Sequence, residues 1–153
     1  MYLMNNWYDV NNQSDINYLM ETYGGFHDSC ITELRYISGA DVNDNLSMGF
    51  GESLDRKLSI IFKRQWKPVK IELLFEGMRQ MNIAGWQNNY FCDIFDCYLA
   101  IHNDLVKGRD DNLIVWADNS GFNPKELYER KILSEPLISY IISEKLKSSL
   151  LED

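Results

Sequence analysis

Residues 69–76 read Val69-Lys70-Ile71-Glu72-Leu73-Leu74-Phe75-Glu76, apolar at every odd position and charged at 70, 72 and 76. A period of two places Val69, Ile71, Leu73 and Phe75 on one face of an extended strand and the charges on the other. A strand buried on one face belongs in an antiparallel sheet, because parallel strands are buried on both faces and are separated by crossover helices. Working outward, the alternation recurs in Cys30/Leu34/Tyr36, Leu46/Met48/Phe50, Leu58/Ile60/Phe62 and Phe95/Cys97/Leu99/Ile101, with a shorter apolar run over Leu113–Ala117. Turn chemistry separates these runs at residues 39–45, 51–56, 65–68, 87–89 and 103–112.

Before the strands, Ile16, Leu19, Met20 and Tyr23 fall at helical spacing. Ser14 is the expected N-cap and Gly24 the left-handed stop, giving a short one-sided helix that must lie on the sheet. Near the end, Asn123-Pro124 opens a short helical turn, and Pro136 precedes an apolar run over 137–142. β-Branched and aromatic residues favour strand there, while 144–151 is the better helix former, so the reading of 137–151 leans to strand. The expectation is one α+β domain over residues 1–153, a short N-terminal helix on a mainly antiparallel sheet. Sandwich and partly open barrel both fit the periodicity.

The 153 residues carry 23 acidic and 15 basic side chains, a formal charge of -8. A negative surface gains no counterion release from nucleic acid and no attraction from anionic lipid, so a protein with a basic surface is the expected partner. Three cysteines, Cys30, Cys92 and Cys97, cannot all pair within the chain, and residues 1–6 lack the basic and apolar regions of a signal peptide. A cytoplasmic protein with reduced thiols is expected.

Candidate chemistry is thin. The two histidines, His27 and His102, are too few for a metallohydrolase set. Asp41, Asn43, Asn45 and Glu52 mimic calcium-loop spacing, but Leu46 stands where the sharp turn needs glycine. Cys92 and Cys97 lack the second pair a zinc site needs, and no serine sits in a nucleophile elbow or phosphate loop. The chain therefore reads as a non-enzymatic module without catalytic, metal or cofactor residues. Phe26-His27-Asp28, after Gly24-Gly25, reads as a structural corner in which His27 or Asp28 satisfies exposed backbone amides. Tryptophans are enriched at partner contacts, which makes Trp66, Trp86 and Trp116, with Asp118 beside the last, the partner-binding candidates. The alternative is a small-ligand or carbohydrate-binding β domain in which one of these indoles stacks on a sugar.

The stretches Gly24-Gly25-Phe26-His27-Asp28-Ser29, residues 69–77 ending Leu-Phe-Glu-Gly, and Val115-Trp116-Ala117-Asp118 resemble a group of small bacterial proteins of uncharacterised function with a phenylalanine-histidine-aspartate corner. Some of that group are regarded as immunity proteins of polymorphic toxin systems. The resemblance spans most of residues 24–145. It implies that Phe26, His27, Asp28, Gly77, Trp116 and Asp118 are framework positions and that residues 140–146 form a final strand, and it implies toxin neutralisation as a function.

Overall fold

The computed structural model describes residues 6–129 and 137–152. The N-terminal residues 1–5 and Pro136, used above, lie outside that range. Strand β1 (Tyr8–Asp9) and helix α1 (Gln13–Thr22) lead into a short turn at Gly24–Phe26. Then follow β2 (Ser29–Ile37), β3 (Asp41–Val42), β4 (Met48–Gly49), β5 (Lys57–Arg64), β6 (Lys70–Asn82), β7 (Tyr98–His102), β8 (Leu113–Ala117) and β9 (Tyr140–Leu151). The sheet runs β2-β5-β6-β9-β8-β7, every pairing antiparallel, with β1 alongside the far half of β9. Neither edge strand closes on the other, so the α+β fold is an open sheet. No helix among the described residues is long and apolar enough to cross a membrane.

The alternation that starts at Val69 holds in β6 as far as Gly77, before the bulge between Met78 and Gln80: Ile71, Leu73 and Phe75 are buried, and Leu58, Ile60 and Phe62 of β5 face the same way. Ile16 and Leu19 of α1 join that face, with Tyr23, Phe26, Ile114 and Trp116. In β8 all five residues are buried, because Val115 and Ala117 pack on the opposite face with Phe122 and Ile138. Both faces are covered there, which is why this run shows no alternation.

Three expectations need correction. The helix is capped by Asn12, whose Oδ1 accepts from the Asp15 amide at 2.9 Å, and Ser14 lies inside the first turn. Residues 46–50 do not join the sheet. They belong to a separate β3–β4 ribbon with Leu46, Met48 and Phe50 exposed, because Asn43, Asn45 and Ser47 bond to one another and close a tight turn. Those bonds also occupy Asn43 and Asn45, two of the four side chains that mimic a calcium loop. Finally, Phe95 falls outside β7 and is exposed, while Cys97 is buried as expected.

Gly77 stands in β6 at φ +68, and a Cβ there would come within 2.8 Å of the Glu144 Cβ and 2.0 Å of its Oε2. Glu144 is held in place by Arg79, whose Nη2 donates to Oε1 at 2.8 Å. Gly77→Ala is therefore both strained and crowded. It should lower stability by about 1–3 kcal/mol, a shift of several degrees in a thermal melt followed by circular dichroism.

Candidate functional site

Helix α1 ends in a left-handed turn: Gly24, Gly25 and Phe26 have φ of 56, 65 and 63. Phenylalanine rarely adopts this conformation. Here its ring is fully buried, with Tyr23 and Phe62 each 5.0 Å away and Trp116 at 6.2 Å. Burial of a whole aromatic side chain, worth about 1.5–3 kcal/mol, offsets a left-handed backbone that costs about 1–2 kcal/mol.

The expected role of the next two residues changes in detail. The corner amides are satisfied by backbone carbonyls: Phe26 N donates to Tyr23, His27 N to Gly24 and Asp28 N to Ile94. His27 is a donor, its Nδ1–H reaching the Phe95 carbonyl at 2.5 Å, while Nε2 stands 3.5 Å from Asp28 Oδ2. Asp28 itself has φ +56, a conformation that aspartate and asparagine tolerate better than other side chains. Ser29 is buried and its hydroxyl donates to the Phe26 carbonyl, so it is committed to the corner backbone.

The corner's partner is the irregular segment 83–97 between β6 and β7. Irregular connections of this length are uncommon in compact domains and are frequently functional. This one is pinned at several points: Ala84 N to Ser139 Oγ at 2.9 Å, a Gln87–Tyr90 bridge, an Ile94–Ser29 bridge, and Cys97 N to the Gly25 carbonyl at 3.1 Å. Despite this anchoring it holds Trp86, Phe91 and Phe95 outward at 72%, 73% and 79% exposure. Asp93 and Asp96 are exposed beside Phe95, and no lysine or arginine occurs between Arg79 and Lys107.

Under the segment lies a cavity of about 180 Å³ lined by Ile31, Ile83, Trp86, Tyr90, Cys92, Ile94, Asp118 and Ser139, among others. Asp118 Oδ1 accepts from the Ser139 amide at 3.0 Å, and Oδ2 accepts from the Tyr90 hydroxyl. Burial pushes the Asp118 carboxyl up, partly countered by these two donors. The Tyr90 phenol is raised in turn by burial and by the Asp118 carboxylate. Cys92 is likewise raised, by burial first and then by its neighbours Cys30, Asp93 and Asp118, which leaves a neutral thiol rather than a nucleophile.

The four partner-binding candidates thus separate. Trp86 and Asp118 share the cavity. Trp66, 40% exposed, covers the corner instead, its ring 5.9 Å from His27 and under the Arg64 guanidinium at 5.1 Å. Trp116 is corrected from an anchor to a core residue: it is 0% exposed and packs on Phe62 at 5.2 Å. The apolar run Leu113–Ala117 carries no alternation to say which side of β8 stays exposed; both sides are covered, and Trp116 lies in the main core. Tyr90, Phe91, Phe95 and Ser139 were missed. The stretch between Arg79 and Lys107, aromatic and free of cations, was the one available signal. The larger concavity, about 540 Å³ beside β9, is lined by Asp104 and Lys125, already paired at 2.6 Å. Among the described residues, no group of three His, Cys, Asp or Glu side chains could hold a metal ion.

Two outcomes follow. At Asp28, thermal melts should rank Gly and Asn level with or above the natural residue, with Ala lower by about 1 kcal/mol, because the backbone conformation decides. At Asp118, the fold opposes the ionised carboxylate; that penalty is full above the raised folded pKa and is gone below the unfolded one. Asp118→Asn, which keeps an acceptor for Ser139, should melt no lower than the parent at pH 7, and any gain should vanish as the pH falls through the carboxylate range. A lower melt would show that the Tyr90–carboxylate bond outweighs burial. No family model matches this chain, and neither a curated protein nor a solved structure matches it.

Proposed function

We propose that the chain is a non-enzymatic protein-interaction module whose 83–97 segment docks on a basic protein surface. The observation that carries this is the outward presentation of Trp86, Phe91 and Phe95 from a segment tied at both ends to buried framework. Solvent-exposed aromatics on an anchored backbone lose little conformational freedom on binding. Exposed apolar patches of this kind mark interaction sites. Charge complementarity chooses the partner: Asp93 and Asp96 flank Phe95, and the whole chain stands at -8. Such a field speeds encounter with a basic surface and disfavours nucleic acid and anionic membranes. In its specific form the reading is toxin neutralisation in the cytoplasm, a negative aromatic surface masking a cationic one, as the resemblance implies.

The small-ligand reading has one observation in its favour, the cavity shared by Trp86 and Asp118. Its volume of about 180 Å³ falls below the roughly 300–1,000 Å³ of small-molecule sites, and neither Trp66 nor Trp116 reaches it.

The test compares the parent with a Phe91→Ala/Phe95→Ala double variant that leaves the cavity intact. Capture from source cells should identify a basic protein, which is then purified and titrated. The double variant should bind it at least 100-fold more weakly at matched melting temperature, and binding to the parent should weaken as salt rises. Equal affinity for parent and variant, a neutral or acidic partner, or self-association of the chain in sedimentation through this face overturns the reading.

A further inference from the structure

We infer that the cavity between Trp86, Tyr90 and Asp118 is the receptor for an arginine side chain of the basic partner. This rests on the interaction reading and adds to it the chemistry of one anchor. Three features select the occupant. First, the floor is a half-buried carboxylate which, among the described residues, accepts two neutral donors and makes no ion pair. A carboxylate taken out of water without a cation is costly, and an incoming charge that hydrogen-bonds to it recovers that cost. Second, the walls combine the Trp86 indole and the Tyr90 ring with Ile31, Ile83 and Ile94. Aromatic faces attract a cation, and aliphatic side chains suit a methylene stem. Third, the cavity, at about 180 Å³, has room for a side chain and is small for a free organic ligand.

Arginine fits this set better than lysine. Its planar guanidinium stacks on an indole, is more weakly hydrated than an ammonium, and offers several donors to a carboxylate whose lone pairs are only partly used. Trp86 lines the cavity while 72% exposed, and would lose exposure on binding.

The experiment uses nuclear magnetic resonance on the full chain, following the Trp86 indole and Ser139 amide signals. The probes are N-acetyl-arginine methylamide, its lysine counterpart, and the citrulline counterpart, which keeps the shape of arginine without the charge. The arginine probe should shift both signals saturably, with the lysine probe weaker and citrulline at least 10-fold weaker. Asp118→Asn should weaken the arginine probe at least 10-fold; if that variant folds poorly, Trp86→Ala carries the same comparison. Equal response to arginine and citrulline, or a response unchanged in both variants, overturns the inference. So does a lysine probe that binds more tightly than arginine.

With the purified partner, Asp118→Asn should weaken binding at least 10-fold, and replacing one partner arginine should do the same without further loss when the two changes are combined. Full affinity in Asp118→Asn with loss in Phe91→Ala/Phe95→Ala overturns the cavity inference alone. Full affinity in the aromatic double variant overturns the interaction reading, while the probe shifts still report on the cavity.

Discussion

Strand β9 occupies the centre of the sheet, pairing along one edge with β6 over residues 140–151 and along the other with both β8 and β1. Its two edges join the β2-β5-β6 and β8-β7 halves in the strand order. The strand comes last in the sequence, so its hydrogen bonds form across long chain separations, and the loop-closure cost must be met before the core closes. Once β9 is in place, Ile141 and Leu146 complete the buried face and Ser143 donates to the Glu76 carbonyl at 2.9 Å. Ser139, at its entry, is then fixed to receive Ala84 on its hydroxyl and to donate its amide to Asp118. The cavity depends on the same ladder that closes the sheet.

The left-handed corner does for the other end of the 83–97 segment what Ser139 does for its beginning. Gly25 presents its carbonyl to Cys97, and Asp96 lies so close above Gly25 that an added Cβ would meet its carboxylate at 2.8 Å. His27 reaches Phe95 through both a hydrogen bond and an edge-on ring contact at 5.0 Å. The strained backbone of Phe26 is held by its buried ring, so strain in the corner and placement of the exposed aromatics share one origin in the core. This gives the framework residues of the corner a second consequence: they set the surface geometry without being part of the surface.

Charge and exposed apolar side chains coincide along the 83–97 segment. In the proposed interaction the acidic side chains would give long-range attraction and the exposed rings contact area once water is expelled, acting on association and dissociation respectively. Asp118 stands apart from Asp93 and Asp96 in being half buried, where an ionic contact is less screened and its pairing more selective. The raised carboxyl and the raised Tyr90 phenol express one condition, a negative charge held with neutral donors in a partly apolar enclosure. Under the proposed recognition, stability and binding would pull in opposite directions at that position.

Period-two alternation determined the antiparallel sheet from Val69 outward, and helical spacing with Gly24 determined α1 and its left-handed end, because these signals depend only on local geometry. The acidic balance and the poverty of catalytic motifs were equally local. What the chain could not encode locally was that both sides of β8 would be covered: Trp116 is buried in the main core with Phe26 and Phe62, and Phe122 and Ile138 bury Val115 and Ala117 on the other side. The β3–β4 ribbon shows the reverse case, an alternation as regular as that of the core strands left in solvent because its turn bonds hold it to itself. The cavity belongs to this second category, although Trp86 and Asp118 were legible as candidates one by one. Trp86 and Tyr90 share the 83–97 segment, and they acquire a common cavity with the distant Asp118 and Ser139 only when β9 lies beside β8 and that segment is tied down.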